Sequence, residues 1–162
     1  MTVVAMGTGK FINPVLARSR LEAQRDGSAT VEAPHLLLAL AASDDATVRR
    51  ALTAVGLDHT AIRDALYREF EHSLSLVGVA ELARGLPRPS ATPDPASALG
   101  ASAKLAIARG VEAAADPRDF RPAHLLQGIV RAQAGTATRA LDLIGVDRAE
   151  LDAQVSAALG EA

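Results

Sequence analysis

The sequence has no cysteine, few aromatics and no excess of charge of one sign. Without cysteine there is no disulfide framework, no thiolate nucleophile and no thiolate metal ligand. Aromatic residues make up 2% of the 162 positions while hydrophobic residues make up 49%, so the core has to be built from Ala, Leu, Val and Ile. Alanine is the best helix former and β-branched runs are few, which predicts an all-α fold. Lys and Arg number 17 against 19 Asp and Glu, a net charge of −2. That balance lacks the basic footprint of a nucleic-acid binder. No apolar run approaches the roughly 20 residues needed to span a bilayer. Residues 1–13 are only mildly apolar and carry no charged start, so they do not read as a signal peptide. A cytoplasmic protein is expected, with no nucleic-acid partner and no membrane contact.

What the sequence does contain is a repeat. The stretch Pro34-His35-Leu36-Leu37-Leu38-Ala39-Leu40 returns as Ala123-His124-Leu125-Leu126-Gln127-Gly128-Ile129, with the second histidine 89 positions on, 124 against 35. The register holds without a gap from residue 35 to residue 66. Arg50-Ala51-Leu52 matches Arg139-Ala140-Leu141, Gly56 matches Gly145, and Asp58 matches Asp147. Elsewhere apolar residues exchange for apolar ones, as Leu40 for Ile129 and Ile62 for Leu151. So long an ungapped register marks an internal duplication. The length allows one domain with a real core, or two small interlocked halves.

Residues 1–10 have no periodicity and are expected as a loose lead-in. A first helix starts near Pro14, which is tolerated in a first turn, presents Leu16, Ser19 and Ala23 as a small-residue face, and ends near Gly27. The second starts near Pro34. Ser43-Asp44-Asp45 stops it and caps a third, whose Val48, Ala51, Leu52 and Val55 form an i, i+3, i+4, i+7 stripe. Gly56 closes that helix, Leu57 packs back, and Asp58 caps a fourth through Ile62, Leu66 and Phe70. The second copy repeats this punctuation, with Gly145 as a stop, Asp147 as a start and Glu150 placed for a capping box. Between the copies, a short extra helix is expected over Ala80 to Arg84. Pro87, Pro89, Pro93 and Pro95 then make an extended, exposed linker. The first helix of copy two runs from about Leu99 to Ala114.

The chemistry-bearing residues point away from catalysis. His35 and His124 each sit in the first turn of a helix beside an apolar run, where a histidine serves backbone groups nearby. A zinc site needs three or four ligands at close spacing, and neither has them. Glu71-His72-Ser73 is contiguous, but adjacent helical residues point apart, and no serine lies in a nucleophile elbow. No catalytic residue, metal ligand or cofactor is expected, and the chain is not expected to be an enzyme. Arg18, Arg20 and Arg25 form a basic side of the first helix, which reads as a solvated face.

Two copies of a His-Leu-Leu helix followed by an Ala-Leu-x-x-Val/Ile-Gly-Val/Leu-Asp turn resemble the Clp N-terminal domain, which stands at the front of Clp AAA+ unfoldases such as ClpA and ClpC. The resemblance covers residues of about 14 to 160. It implies a pseudo-twofold tandem repeat of two four-helix units forming a single domain over 1–162. Repeat one spans about 14–70, the linker about 71–97 and repeat two about 98–160. It also implies a non-catalytic protein-interaction module, related to recruiting client proteins or adaptors to a Clp unfoldase-protease complex, with Clp subunits, adaptors, clients or peptides as partners. The alternative is a decoy that binds cyclic peptide antibiotics and so protects the Clp machinery. No Gly-x-x-x-x-Gly-Lys-Ser/Thr phosphate loop occurs, so a free-standing version without the ATPase is expected.

The resemblance places candidate partner-binding residues at the lead position, Phe11 in copy one and Leu99 in copy two, and at the start of the second helix of each copy. Those are Pro34 and His35, with Glu32 nearby, and then Ala123 and His124. ClpC-like domains open that helix with Thr-Glu-His, whose acid helps to bind phosphorylated arginine. Here Pro34 and Ala123 replace the acid, so weak phosphoarginine binding is expected, with Glu32 or Asp119 as the carboxylates that could substitute.

Overall fold

The computed structural model describes residues 9–161. Among the described residues the fold is all-α apart from one pair of two-residue strands. Its centre is the repeated His-Leu-Leu stretch. Residues 35–40 are all buried in helix α2 (Ala33–Ala41), and residues 122–130, His124 aside, are all buried in helix α7 (Pro122–Val130). A helix apolar on every side has to be covered on every side. Helix α1 (Gly9–Arg25) covers α2, helix α6 (Ala101–Ala113) covers α7, and α2 and α7 touch each other.

The outer helices exchange between the copies. Helix α3 (Ala46–Ala54) packs on α9 (Arg148–Gly160), and α4 (His59–Leu76) packs on α8 (Thr136–Leu143). The third helix of each repeat therefore lies on the fourth helix of the other. One core cluster runs through both halves, from Val15 and Leu37 to Leu126 and Leu151.

Local chemistry sets the boundaries. The carboxylates of Asp45, Asp58 and Asp147 accept backbone N–H groups of the first turns of α3, α4 and α9. Gly27, Gly56 and Gly145 take φ of 66°, 72° and 78°, the left-handed conformation that closes a helix. Leu57 packs back as expected, its N–H donating to the Leu52 carbonyl at 2.9 Å. The short helix expected over Ala80 to Arg84 is α5 (Ala80–Gly85).

Several expectations need correction. Residues 1–8 of the lead-in lie outside the described residues, but Gly9 and Lys10 are already helical, and Pro14 falls inside α1 rather than in its first turn. A proline there costs one hydrogen bond to the carbonyl four residues before, which a helix near its end survives. The buried face of α1 is Ile12, Val15, Ser19, Glu22 and Ala23; Leu16 is only partly buried. Helix α4 runs past Phe70 to Leu76, and Phe70 is 43% exposed. Helix α6 starts at Ala101, because residues 98–99 form strand β2 (Ala98–Leu99), parallel to β1 (Thr30–Val31) with Val31 opposite Leu99. Glu150 does not complete a capping box; its carboxylate takes the Gln154 side-chain amide at 2.7 Å. The proline-rich stretch is extended but docked, since Gln24 donates from its side chain to the Thr92 and Pro93 carbonyls and Ala96 is buried.

Candidate functional site

Where the two copies meet, a groove of about 530 Å³ opens between the start of α2, the length of α6, the end of α7 and the start of α8. Its walls are mainly apolar: Ala101, Leu105, Ala106, Ile129, Ala132, Ala134 and Ala137. Leu105 is 55% exposed there, a large apolar side chain without cover. Glu32, Arg109 and Arg139 supply the charge.

Each charged group is positioned by chain from another element. Glu32 precedes α2, yet its carboxylate serves α6. It accepts the Ser102 hydroxyl, the Ser102 amide at 3.2 Å and the Thr30 hydroxyl at 2.9 Å. The Ser102 hydroxyl oxygen in turn accepts the Ala33 amide at 2.9 Å. Gly100, the N-cap of α6, makes this possible, because a Cβ there would overlap the Glu32 carboxylate. Burial works to raise the Glu32 pKa, but the Ser102 and Thr30 hydrogen bonds outweigh it and hold the carboxyl below its ordinary value. A carboxylate on an otherwise uncapped helix start is well placed electrostatically. Arg139 is held from α4: buried Glu69 accepts its Nε at 2.8 Å and the Ser73 hydroxyl at 2.6 Å. Arg109 is less engaged, with one long contact of 3.4 Å to the Gly128 carbonyl.

The sequence-predicted residues divide between this groove and other places. Glu32, Pro34 and His35 line it. His35 is itself buried; its Nδ1 accepts the Glu32 amide at 2.9 Å, and its Nε2 lies 3.4 Å from Asp26. Burial acts to raise the Asp26 pKa, but hydrogen bonds from His35 and Arg63 and the Arg63 charge keep it below the ordinary carboxylate value. Phe11, 48% exposed, lines a second concavity of about 420 Å³ with Lys10, Pro14, Arg18, Asp45 and Pro122. Leu99 lies in β2, partly buried against the core. Ala123 is buried in α7. His124 stacks on Phe120 with ring centroids 6.5 Å apart, and its Nδ1 accepts the Arg121 amide at 3.1 Å. The structure therefore brings Glu32, Pro34 and His35 together and leaves Phe11, Leu99, Ala123 and His124 outside that groove.

Sequence reasoning missed Ser102, Leu105, Arg109 and Arg139, which complete the groove. It also missed Glu22, a fully buried carboxylate on α1. Glu22 pairs with Arg63, with His59 at 3.0 Å and with Arg25 at 3.4 Å. Its i, i+4 relation to Arg18 and i, i+3 relation to Arg25 were the local signals available. Among the described residues no group of three metal-type ligands converges, and no helix is long and apolar enough to cross a membrane.

The comparisons with known proteins agree with this architecture. The crystal structure of the N-terminal domain of the caseinolytic protease associated chaperone ClpD from Arabidopsis thaliana superposes with a TM-score of 0.65 at 21% identity, over 96% of this chain and 98% of that one. At that identity the likeness speaks for the fold. No curated protein matches the sequence. The family model of the Clp repeat N-terminal domain matches residues 11–115, which include the whole of copy one, the connection and α6. With most of its length matched by that model and its doubled helical architecture shared with a ClpD domain, the chain belongs to the Clp repeat N-terminal domain family.

Proposed function

We propose that this chain is a non-catalytic recruitment module, which holds client proteins or adaptors for a Clp unfoldase-protease complex. Domains of this family are interaction modules of Clp chaperones that bind proteins such as adaptors and substrates. The observation that carries the reading here is the groove at the meeting of the two copies, with its apolar walls, uncovered Leu105 and arginine rim. A concave apolar surface with a few fixed polar groups suits an extended peptide segment. The groove also rests on rigid helices, so binding it needs little reorganisation.

The reading is tested by placing a photo-crosslinking amino acid at position 105, with position 143 as an exposed control outside the groove. Purified protein is mixed with a Clp ATPase or a chemically unfolded client. The expected result is crosslinking from position 105 only, competed away by unlabelled client. Equal crosslinking from both positions, or none from 105, overturns the reading.

The second reading, uptake of a cyclic peptide antibiotic, is favoured by the concavity in which half-exposed Phe11 stands beside Pro14 and Pro122. A ligand that binds only the folded state raises the melting temperature. Under this reading a Clp-directed cyclic peptide produces such a rise, and Phe11→Ala removes it.

A further inference from the structure

We infer that the groove takes the C-terminal end of a polypeptide, with the terminal α-carboxylate at Arg109 and the last apolar side chain on Leu105 and Ile129. This rests on the reading of the groove as a peptide-binding surface and names the chemistry it selects.

The groove's charges are unequal in what they have left to offer. The Arg139 guanidinium is taken by Glu69 at 2.8 Å. The Glu32 carboxylate is taken by Ser102 and Thr30. Of the two arginines, Arg109 is the one without a carboxylate partner among the described residues, with only the long contact to the Gly128 carbonyl. The groove thus presents one arginine without an ion-pair partner over apolar walls, while the Glu32 carboxylate, hydrogen-bonded to Ser102 and Thr30, keeps its charge where α2 begins. On the wall of the same groove, α8 begins at Gly135, which gives it no side-chain cap, whereas Asp45, Asp58 and Asp147 cap α3, α4 and α9. The first-turn amides of α8 add donors and the positive end of a helix to the groove that Arg109 lines.

That arrangement complements a single anionic acceptor attached to an apolar side chain. A chain terminus carries both on one carbon, so the carboxylate can reach Arg109 while its own side chain meets Leu105. An internal Asp or Glu fits less well. Its backbone would continue on both sides of the charge past the apolar wall of Ala101, Ala106, Ala132, Ala134 and Ala137, which offers no side-chain partners to the extra amide and carbonyl groups, and unpaired polar groups are costly to bury. Arginine pairs with a carboxylate in a planar fork, which adds geometric selection to charge.

The test uses a fluorescein-labelled peptide ending Ala-Leu-Ala-Leu as the free acid, the same peptide as its C-terminal amide, and an amide carrying one internal Asp. Binding is followed by fluorescence anisotropy at fixed salt. The free acid should bind at least about tenfold more tightly than the amide, the scale of one charge-assisted hydrogen bond. Arg109→Gln should erase that ratio while leaving the circular dichroism and melting temperature unchanged, and Arg109→Lys should keep part of it. Equal binding of acid and amide that is still abolished by Leu105→Asp would overturn the carboxylate assignment and leave the groove reading standing. An internal-Asp amide that matches the free acid would move the anion to a side chain and overturn it as well. Failure of all three peptides to bind the folded protein overturns it too, and the crosslinking at position 105 then decides the groove reading separately.

Discussion

His35 and His124 do the same work 89 positions apart. In each, Nδ1 accepts the backbone amide three residues before it, at 2.9 Å and 3.1 Å. An imidazolium has no lone pair at Nδ1, so this bond requires the neutral ring. Burial first, then the charge of Arg121, holds the His124 pKa below its ordinary value, against the opposing charge of Asp119. A pKa lower in the folded than in the unfolded state means that the unfolded chain binds the proton more readily. The stability due to the neutral ring is therefore complete above the unfolded value of about 6.5 and is lost as pH falls through the folded pKa. Asp26 and Glu32, also lowered, act in a separate window, with stability present above about pH 4 and lost below it. The expected outcome is a melting temperature that declines between pH 7 and pH 5, with the decline reduced in His124→Asn even though that variant is less stable at pH 7. A slope of melting temperature against pH that the substitution leaves unchanged would exclude His124 as its source.

Among the elements, the α6–α7 pair is the most closely packed and the most exacting. A Cβ on Gly128 would overlap the Ala106 carbonyl oxygen and come within 2.7 Å of the Gly110 amide nitrogen, so the two backbones meet with no room for a side chain. Gly145 is a different case: nothing lies within 4 Å of a Cβ there, and only its φ of 78° resists substitution. Gly145→Ala should therefore cost about 1–2 kcal/mol of backbone strain. Gly128→Ala has to push two helices apart, and its cost should exceed that of Gly145→Ala, at or above the 1–3 kcal/mol typical of overpacking. Urea midpoints of the two variants check the order, and a milder Gly128→Ala would mean that the pair can slide. The contrast also marks what could be read in advance. Caps such as Asp58 and Gly145 act on their own turn, so the residue and its neighbours announce them. The copy-one counterpart of Gly128 is Ala39, and nothing local says that the second position must be bare. Likewise the Glu69–Arg139 pair joins residues 70 apart and the Arg63–Glu22 pair joins residues 41 apart. The groove needs four elements at once, which is why Pro34 and His35 were legible as a helix start while Leu105 and Arg109 were not legible as their neighbours.

For the whole molecule, the exchange of outer helices decides how it unfolds. Helix α3 rests on α9 and α4 on α8, β1 pairs with β2, and Glu32 caps a helix that begins at residue 101. Remove either copy and the other loses the cover of its third and fourth helices at once. Each copy is also small, with a core nearly free of aromatics, and chains of that size bury too little surface to be comfortably stable alone. The intact protein should therefore melt in one calorimetric transition, with equal van't Hoff and calorimetric enthalpies. Leu37 and Leu126 are both fully buried, one in each copy. Truncating either to alanine should cost about 2–5 kcal/mol. Because the cores are one, each variant should lower the midpoint of the whole transition without splitting it. Amides of both copies should then lose hydrogen-exchange protection together. Two separated transitions in the parent protein, or a Leu126→Ala variant that releases only residues after 100, would show instead that the copies fold as independent units.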